Sequence, residues 1–273
     1  MPDRPLCLAT ILAHPDDETF GVGGTLLLYT DAGIVCHSLS LTRGEAGESG
    51  RPGGPPITAD QLGEIRAGEL AESGRRIGLT STTALRYPDG ALAGAPADAV
   101  IRDIVRWLRS VRPDVVITWG PDGGYGHPDH IATGELALLA ITLAGVARHA
   151  PELGEHVHVR RCYRMVVTAE VLDRVRELTP DFGAYMDTLA TKPLRWERSS
   201  LGATIDIRSV ADRKWHAMQA HATQQQDLDR LARLRDSIEF VGNAESYIRA
   251  FPDPGGPPLE MDLFAALRAT AMR

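Results

Sequence analysis

Short, almost continuously apolar runs alternate along most of the chain with longer segments whose apolar residues recur at helical spacing. Apolar runs of this length predict strands buried on both faces, and the periodic segments predict amphipathic helices. The predicted strands cover residues 7–13, 34–41, 83–87, 114–119, 162–168 and 203–207. The predicted helices cover residues 19–32, 60–77, 97–111, 128–147, 209–222 and 225–237, and a short helix follows a Pro/Gly turn at 252–258. This alternation predicts an α/β fold, a Rossmann-like and mostly parallel sheet with helices on both faces.

Two of the predicted helices show which face should be buried. Their apolar positions are Leu62, Ile65, Leu70 and Ile77 in the first, and Val100, Ile104, Val105 and Leu108 in the second. We expect each of these stripes to pack against the sheet. Two segments lack such a pattern: residues 43–58, rich in Gly and Pro, predict a long loop, and residues 180–205 have no clear period.

The length of 273 residues suits one α/β domain covering residues 1–273. Within it, we expect residues 180–273 to form a C-terminal extension that packs on the cleft. Tyr185 and Trp196 lie in the segment without a period, where they are candidates for the aglycone side of a binding site or for an oligomer contact. The sequence leaves the oligomeric state open, a homo-oligomer included.

Charge and cysteine content narrow the function classes. The 29 Lys and Arg residues face 36 Asp and Glu residues, a net charge of -7, and no basic cluster stands out, so we expect no nucleic-acid partner. No apolar stretch is long enough to span a bilayer, and the N-terminus lacks the features of a signal peptide. The three cysteines lie singly in apolar runs, which predicts buried thiols in a reduced, cytoplasmic protein.

The first motif with chemical potential is the run Ala13-His14-Pro15-Asp16-Asp17-Glu18, where the first predicted strand ends. Ligands of open parallel sheets bind beyond the carboxyl ends of the strands. His14 and Asp17 are three residues apart around a tight turn, so they can converge on one ion. Asp16 should then point elsewhere and stay free to contact a water. Alternatively, Asp16 or Asp17 simply caps the next helix.

The second motif is the run Tyr125-Gly126-His127-Pro128-Asp129-His130, which follows the predicted strand 114–119. Pro128 suits the first position of a helix, and His130 can turn inward as a third ligand. Two histidines and one carboxylate with open positions are typical of a catalytic metal site. The same donors also hold ferrous iron, so both Zn²⁺ and Fe²⁺ are candidates. A second motif of this kind after another strand favours a metal site over helix capping.

Together the two motifs resemble those of the LmbE/PIG-L family of zinc-dependent de-N-acetylases. The resemblance covers most of residues 5–225, and the paired motifs are specific for the family but not for the substrate. The family includes deacetylases of N-acetylglucosaminyl-inositol and N-acetylglucosaminyl-malate, on the routes to mycothiol and bacillithiol. The resemblance therefore implies an LmbE-like fold and hydrolysis of the N-acetyl group of a small amino-sugar glycoside, in low-molecular-weight thiol biosynthesis.

The resemblance also assigns roles to individual residues. It implies that His14, Asp17 and His130 bind zinc, in agreement with the spacing, and that Asp16 is the general base. It further implies that His127, protonated and held by Asp129 through its second ring nitrogen, stabilises the oxyanion of the tetrahedral intermediate. Tyr125 would add a second donor, and Asp16 or His127 would return a proton to the leaving amine.

The resemblance also implies that three further residues contact the substrate. Arg66 and Asp89 match an arginine and an acid that hold sugar hydroxyls in relatives. His221, with Gln224, resembles a C-terminal family motif near the mouth of the pocket. We also expect the loop 44–54, with Glu45 and Glu48, to border the cleft.

Two alternatives stay open. A mycothiol-conjugate amidase, also a member of the family, would use the same metal centre with a wider cleft. A non-enzymatic Rossmann-type binding module is suggested by the run Gly21-Val22-Gly23-Gly24, but Leu26 stands where a third glycine belongs and the acidic motif would repel a pyrophosphate.

Overall fold

The computed structural model describes residues 4–47, 57–236, 243–252 and 259–271. In this part of the chain seven strands form one sheet in the order β3-β2-β1-β4-β5-β7-β6. The strands are β1 (Cys7–Leu12), β2 (Val35–Ser40), β3 (Ser81–Ala84), β4 (Val115–Trp119), β5 (Arg161–Val166), β6 (Ala203–Asp206) and β7 (Ala244–Phe251). The first five are parallel, and β7 runs antiparallel between β5 and β6. The predicted α/β fold with a mostly parallel sheet is confirmed.

Helices cover both faces of this sheet. They are α1 (Asp17–Phe20), α2 (Gly23–Asp31), α3 (Ala59–Ile77), α4 (Ala97–Val111), α5 (Gly123–Gly126), α6 (Pro128–Ala144), α7 (Ala169–Leu178), α8 (Pro180–Thr188), α9 (Ala211–Met218), α10 (Gln225–Asp236) and α11 (Ala265–Ala271). Two separate apolar clusters result, one under α4 and α6 and the other under α2, α9 and α11. No helix in the described part of the chain is both long and apolar enough to cross a membrane.

The predicted stripes on the helices hold with one exception. All four predicted positions of α4 are buried, as are Leu62, Leu70 and Ile77 of α3. The prediction that Ile65 is buried is wrong, because its side chain is 44% exposed. Its neighbour Arg66 takes the inward position instead, since the guanidinium finds carbonyl and carboxylate partners inside.

The single helix predicted over 19–32 is in fact two helices, with a break at Gly21 and Val22. A new helix start leaves backbone N–H groups without partners. Here Glu245 of β7 is the missing acceptor. Its carboxylate accepts from the N–H groups of Gly24 at 2.9 Å and Thr25 at 2.8 Å. The break therefore depends on a strand that the sequence pattern did not predict.

Four segments either differ from the predictions or lie outside the described residues. The helices α7 and α8 and the strand β7 were not predicted, and they occupy positions 169–188 and 244–251. The loop predicted over 43–58 is described at residues 43–47 and 57–58. The rest of that loop, with Glu48, and residues 253–258 of the predicted Pro/Gly turn lie outside the described residues.

The order of the parallel strands places a crevice between β1 and β4. The chain continues from β1 to β2 on one side and enters β4 on the other, so the connections diverge there. Ligands of open α/β sheets bind at such a point, beyond the carboxyl ends of the strands. Both motifs singled out above follow these two strands.

Candidate metal centre and active site

The two distant turns meet at this crevice. The Nδ1 atom of His14 lies 3.2 Å from the Nε2 atom of His130. The carboxylate of Asp17 completes the group, with Oδ1 at 3.4 Å from His130 Nε2 and Oδ2 at 3.9 Å from His14 Nδ1. The structure thus brings together the three residues whose spacing predicted a shared ion.

The chain holds Asp17 by one of its two oxygens. Oδ2 accepts the backbone N–H groups of Ala13 and His14, both at 3.0 Å, and the indole N–H of Trp119 at 3.1 Å. Oδ1 is the oxygen nearer to His130. His130 and His14 lower the pKa of Asp17 in spite of its burial. The carboxylate therefore stays ionised, with Oδ1 turned towards the imidazole of His130.

Hydrogen-bond partners fix the tautomers of the two histidines through the outer ring nitrogens, His14 Nε2 and His130 Nδ1, which face away from the shared centre. His14 Nε2 lies 3.1 Å from Asp89 Oδ1 and 3.4 Å from Asp129 Oδ2, and His130 Nδ1 lies 3.0 Å from the carbonyl oxygen of Gly123. These oxygens only accept, so the outer nitrogens carry protons and the inner ones carry lone pairs when the rings are neutral. Metal-binding histidines are oriented by outer partners of this kind.

The acidic neighbours of His14 favour a positive charge at this site. Burial opposes protonation of His14, but the hydrogen bonds with Asp129 and Asp89 outweigh it and raise its pKa to about 10. Donor atoms held about 2.0–2.2 Å from a tetrahedral zinc ion lie about 3.3–3.5 Å apart. The separations of 3.2 Å and 3.4 Å to His130 match this spacing. The residues present therefore fit a divalent metal.

Two other combinations of donors also converge. One joins His14 and His130 with His127, and the other joins His14 with Asp89 and Asp129, with all donor atoms of a set within 4.8 Å of one another. In the second set, Asp129 Oδ2 also accepts from the N–H of Gly90, and Asp89 Oδ2 from that of Ala46. This set therefore serves as the hydrogen-bonding shell of His14.

Trp119 should tune the metal without touching it. Its ring stacks on His130 with centroids 3.7 Å apart, and its N–H binds Asp17. Trp119→Phe keeps an aromatic ring beside His130 but removes the hydrogen bond to Asp17, so we expect metal affinity to fall about 10–100-fold. Competitive chelation measures this. Trp107→Phe is the control, because Trp107 is also buried but belongs to the cluster under α4. Unchanged affinity in Trp119→Phe would contradict this role.

Asp16 is held in a strained conformation beside Asp17 and His14. Its backbone φ is 122° and its ψ is -31°, a combination that costs a non-glycine residue about 1–3 kcal/mol. Its side chain makes no capping hydrogen bond, so the capping alternative fails for this residue. Oδ2 instead accepts from Arg66 Nη2 at 2.8 Å. Burial raises the pKa of Asp16 to about 7, against the opposing charge of Arg66.

His127 and Asp129 differ from the predicted arrangement. Asp129 does not hold His127 by its carboxylate, which accepts from the N–H groups of Gly90 and Leu92 and faces His14. The contact runs through the backbone, because the N–H of Asp129 donates to His127 Nδ1 at 3.2 Å. A backbone N–H can only donate, so the proton of a neutral His127 sits on Nε2. Burial lowers the pKa of His127 to about 3, which favours the neutral ring over the protonated form that the resemblance implies.

The turn that carries His127 depends on glycine. Gly123 has a φ of +62°, and a Cβ there would lie 2.8 Å from the Cβ of His130. Its carbonyl is the outer partner of His130. Pro128 occupies the first position of α6, as predicted, and His127 is the N-cap. The glycine therefore allows the backbone to approach His130 closely.

A cavity of about 710 Å³ opens above these groups. His14, Asp16, Asp17, His127 and His130 lie on its wall. Tyr125 also lines it and packs edge-on against His130, with ring centroids 5.2 Å apart. The far side is apolar and is built from α7, α8 and α10, by Val171, Leu172, Val175, Phe182, Met186, Leu231 and Leu234. Tyr185 lies on this side too.

The three residues expected to contact substrate occupy different positions. Arg66 and Asp89 line the cavity, although each also forms hydrogen bonds with other groups of the protein. Arg66 donates to Asp16 and to the carbonyl oxygens of Pro15 and Gly44. The expectation for His221 is not supported, because its side chain is fully buried behind the cavity, with Nε2 2.7 Å from Glu18 Oε1.

Some residues of the site had no predicted role. Trp119 ends β4, and its place at a strand's carboxyl end is a signal that could have found it. Lys214 and Glu245 form a buried ion pair of 2.7 Å on the cavity wall. Nothing in their local sequence marks them, since Glu245 reaches the site only through the unpredicted strand β7.

Comparisons with known proteins agree with this geometry. The PIG-L family, described as GlcNAc-PI de-N-acetylase, matches residues 9–141, which include both motifs. A 1D-myo-inositol 2-acetamido-2-deoxy-alpha-D-glucopyranoside deacetylase of Rhodococcus opacus is 37% identical over 247 residues, which is 82% of each chain.

Solved structures share the fold. The conserved protein TT1542 of Thermus thermophilus has a TM-score of 0.63 and 27% identity, over 91% of this chain and 96% of that one. The 4-carboxy-2-hydroxymuconate hydratase of Pseudomonas putida has a TM-score of 0.66 and 21% identity, over 95% and 100% of the two chains. The fold alone therefore does not fix the reaction. The two motifs, the family match and the inositol-glycoside deacetylase relative together show that the chain belongs to the PIG-L family.

Proposed function

We propose that this chain is a zinc-dependent N-deacetylase that hydrolyses the acetamide of an N-acetylglucosamine glycoside. The observation that carries the proposal is the meeting of three side chains beside Asp16 on the wall of a cavity: His130 Nε2 lies 3.2 Å from His14 Nδ1 and 3.4 Å from Asp17 Oδ1. The named activity of the Rhodococcus opacus relative supports an inositol glycoside as the substrate.

We assign the metal to His14, Asp17 and His130. When bound there, a divalent ion supplies Lewis-acid activation of water and of the amide carbonyl. Asp17 is preferred over His127 as the third ligand because three N–H groups fix its outer oxygen and leave Oδ1 towards His130. His127 Nδ1, by contrast, already accepts from the N–H of Asp129.

Asp16 is the base in this proposal. The water that attacks the acetyl carbon gives a proton to the Asp16 carboxylate, and Arg66 holds the other side of that carboxylate through Oδ2. When the C–N bond breaks, the protonated Asp16 returns the proton to the leaving amine. The products are acetic acid, which ionises to acetate, and a glycoside with a free amine. One hydrogen of the water ends on the acid and the other on the amine, so the step balances.

His127 serves as a neutral donor. Its Nε2–H stabilises the negative charge that develops on the carbonyl oxygen, a contribution typically worth about 3–4 kcal/mol for one such donor. The resemblance suggested a protonated ring, but a neutral ring with its proton on Nε2 serves the same purpose. Tyr125, which lines the cavity beside His130, is the second donor.

The extent of the domain and its location belong to the same proposal. Residues 180–273 extend a single domain, because α8, α10 and β7 line the cavity that the first two thirds of the chain begin. A cytoplasmic location is supported by Cys7, Cys36 and Cys162, which are free and buried.

Hydrolysis of a panel of amides, followed by the release of both acetate and free amine, tests the function. The protein is stripped of metal, loaded with Zn²⁺ or Fe²⁺, and given N-acetylglucosaminyl-inositol, a simple N-acetylglucosaminide and a bulky thiol conjugate. We expect metal-dependent acetate release, fastest from the inositol glycoside. Faster cleavage of the conjugate would favour an amidase. A protein that binds no metal and releases no acetate would support the binding module and sink the proposal.

A further inference from the structure

Glu18 is the last residue of the first motif, and it takes no part in the chemistry above. Its side chain is fully buried. Oε2 accepts the backbone N–H of Asp16 at 2.9 Å. Oε1 lies 2.7 Å from His221 Nε2 and also accepts from the hydroxyl of Ser73. This carboxylate therefore joins the backbone of the proposed base to two residues outside the active site.

The peptide of Asp16 needs such a partner. The carbonyl of Asp16 accepts from the N–H groups of Thr19 and Phe20, both at 2.9 Å, so it belongs to the first turn of α1. With φ at 122°, the N–H points where a normal helix start would not place it. Without an acceptor there, an unfavourable backbone conformation and an unpaired buried donor would add together. The Asp16 backbone would then relax and carry its carboxylate away from Arg66.

His221 in turn holds Glu18. The imidazole is fully buried, contacts Phe20 edge-on with centroids 6.0 Å apart, and has no partner for Nδ1 among the described residues. A buried ring with one unpaired nitrogen is a poor choice for stability alone. Its Nε2 faces a carboxylate that also accepts from a hydroxyl and a backbone N–H. The ring is therefore placed to orient Glu18.

We propose that Glu18 is a positioning residue that locks the strained backbone of Asp16, with His221 and Ser73 fixing Glu18 from behind. The proposal rests on the role of Asp16 in the proposed deacetylase. It gives His221 a function two steps away from the substrate, in place of the direct contact that the sequence motif implied.

Glu18→Gln, His221→Asn and the double variant test this chain of contacts. The amide introduced by Glu18→Gln would turn N–H donors towards Ser73 and His221, which also donate. We expect kcat to fall about 100-fold in Glu18→Gln, as a small misplacement of a catalytic group can cost that much. KM and metal content should stay within about twofold of wild type, and the double variant should be no slower than Glu18→Gln alone, because both residues act through one carboxylate.

A matched control separates positioning from stability. Glu260 is another largely buried carboxylate with several partners, Arg161, Tyr163 and Arg249, and it does not line the cavity. Glu260→Gln should lower the Tm without changing kcat. Additive losses in the double variant, or a loss of kcat in Glu260→Gln that matches its loss of Tm, would overturn the proposal.

A crystal structure of Glu18→Gln gives a readout that does not depend on activity. We expect Asp16 to return to negative φ and to lose its contact with Arg66, while His14, Asp17 and His130 keep their places. An unchanged Asp16 backbone would overturn the positioning role and leave the deacetylase proposal intact. Absence of acetate release by the wild type, with the backbone shift present, would instead sink the deacetylase proposal alone. If Glu18→Gln does not fold, the same measurements on His221→Asn decide.

Discussion

Asp16→Asn should lower kcat about 10²–10⁴-fold, the range that a positioned general base contributes. The amide keeps the shape of the carboxylate and an oxygen for Arg66, but it cannot take a proton from water. Steady-state acetate release and metal analysis of the same preparation measure the effect. The metal should remain bound, because Oδ2 of Asp16 faces Arg66. The donor atoms proposed to hold the ion belong to His14, Asp17 and His130.

Asp114→Asn is the control for this change. Asp114 is also a buried aspartate, but it precedes β4 at the opposite end of the sheet, where it binds Arg4 and the N–H of Cys7. It should affect stability and leave kcat unchanged. Loss of metal from Asp16→Asn would show that Asp16 and Asp17 exchange the roles of base and ligand.

Asp17→Ala and His127→Ala should separate a ligand from a donor. Asp17→Ala should weaken metal binding by more than about 100-fold, beyond the loss typical of an outer-shell residue. His127→Ala should keep the metal and lower kcat about 10²–10³-fold, as expected for one lost oxyanion donor. Metal titration and kinetics on both variants check this, with His14→Ala and His130→Ala expected to behave as Asp17→Ala does.

Loss of metal in His127→Ala, with retention in Asp17→Ala, would point to a different set of ligands. His127 lies within 4.8 Å of the donor atoms of His14 and His130, so three histidines form a second candidate site. If His127→Ala loses the metal and Asp17→Ala retains it, that set holds the ion. Asp17 would then be an anchor for the turn, through its bonds to Ala13, His14 and Trp119.

The parallel part of the fold and the meeting of the two turns could be predicted because both follow from local signals. Apolar runs predict strands, and residues that follow the strands of a parallel sheet lie at one edge of it, where His14 and His130 can meet. The strand β7 could not be predicted from alternation. Its inward positions hold Glu245 beside Tyr247, and that charge is acceptable only because Lys214 and the start of α2 surround it.

The partners of buried side chains were the least predictable part of the site. Asp129 has an obvious neighbour in His127, yet its carboxylate is taken by the N–H groups of Gly90 and Leu92, nearly forty residues away in the chain. Likewise, His221 pairs with Glu18 across 203 residues. Spacing shows which groups can approach one another, but the choice among acceptors depends on loops whose course no local pattern determines.

A crystal structure of the zinc-loaded protein, with the metal located by anomalous scattering, tests the central claim most directly. We predict one ion within about 2.0–2.2 Å of His14 Nδ1, Asp17 Oδ1 and His130 Nε2, with Asp16 beside it and an open position towards the cavity. An ion held elsewhere, or no ion at this crevice in protein that releases acetate, would contradict the account.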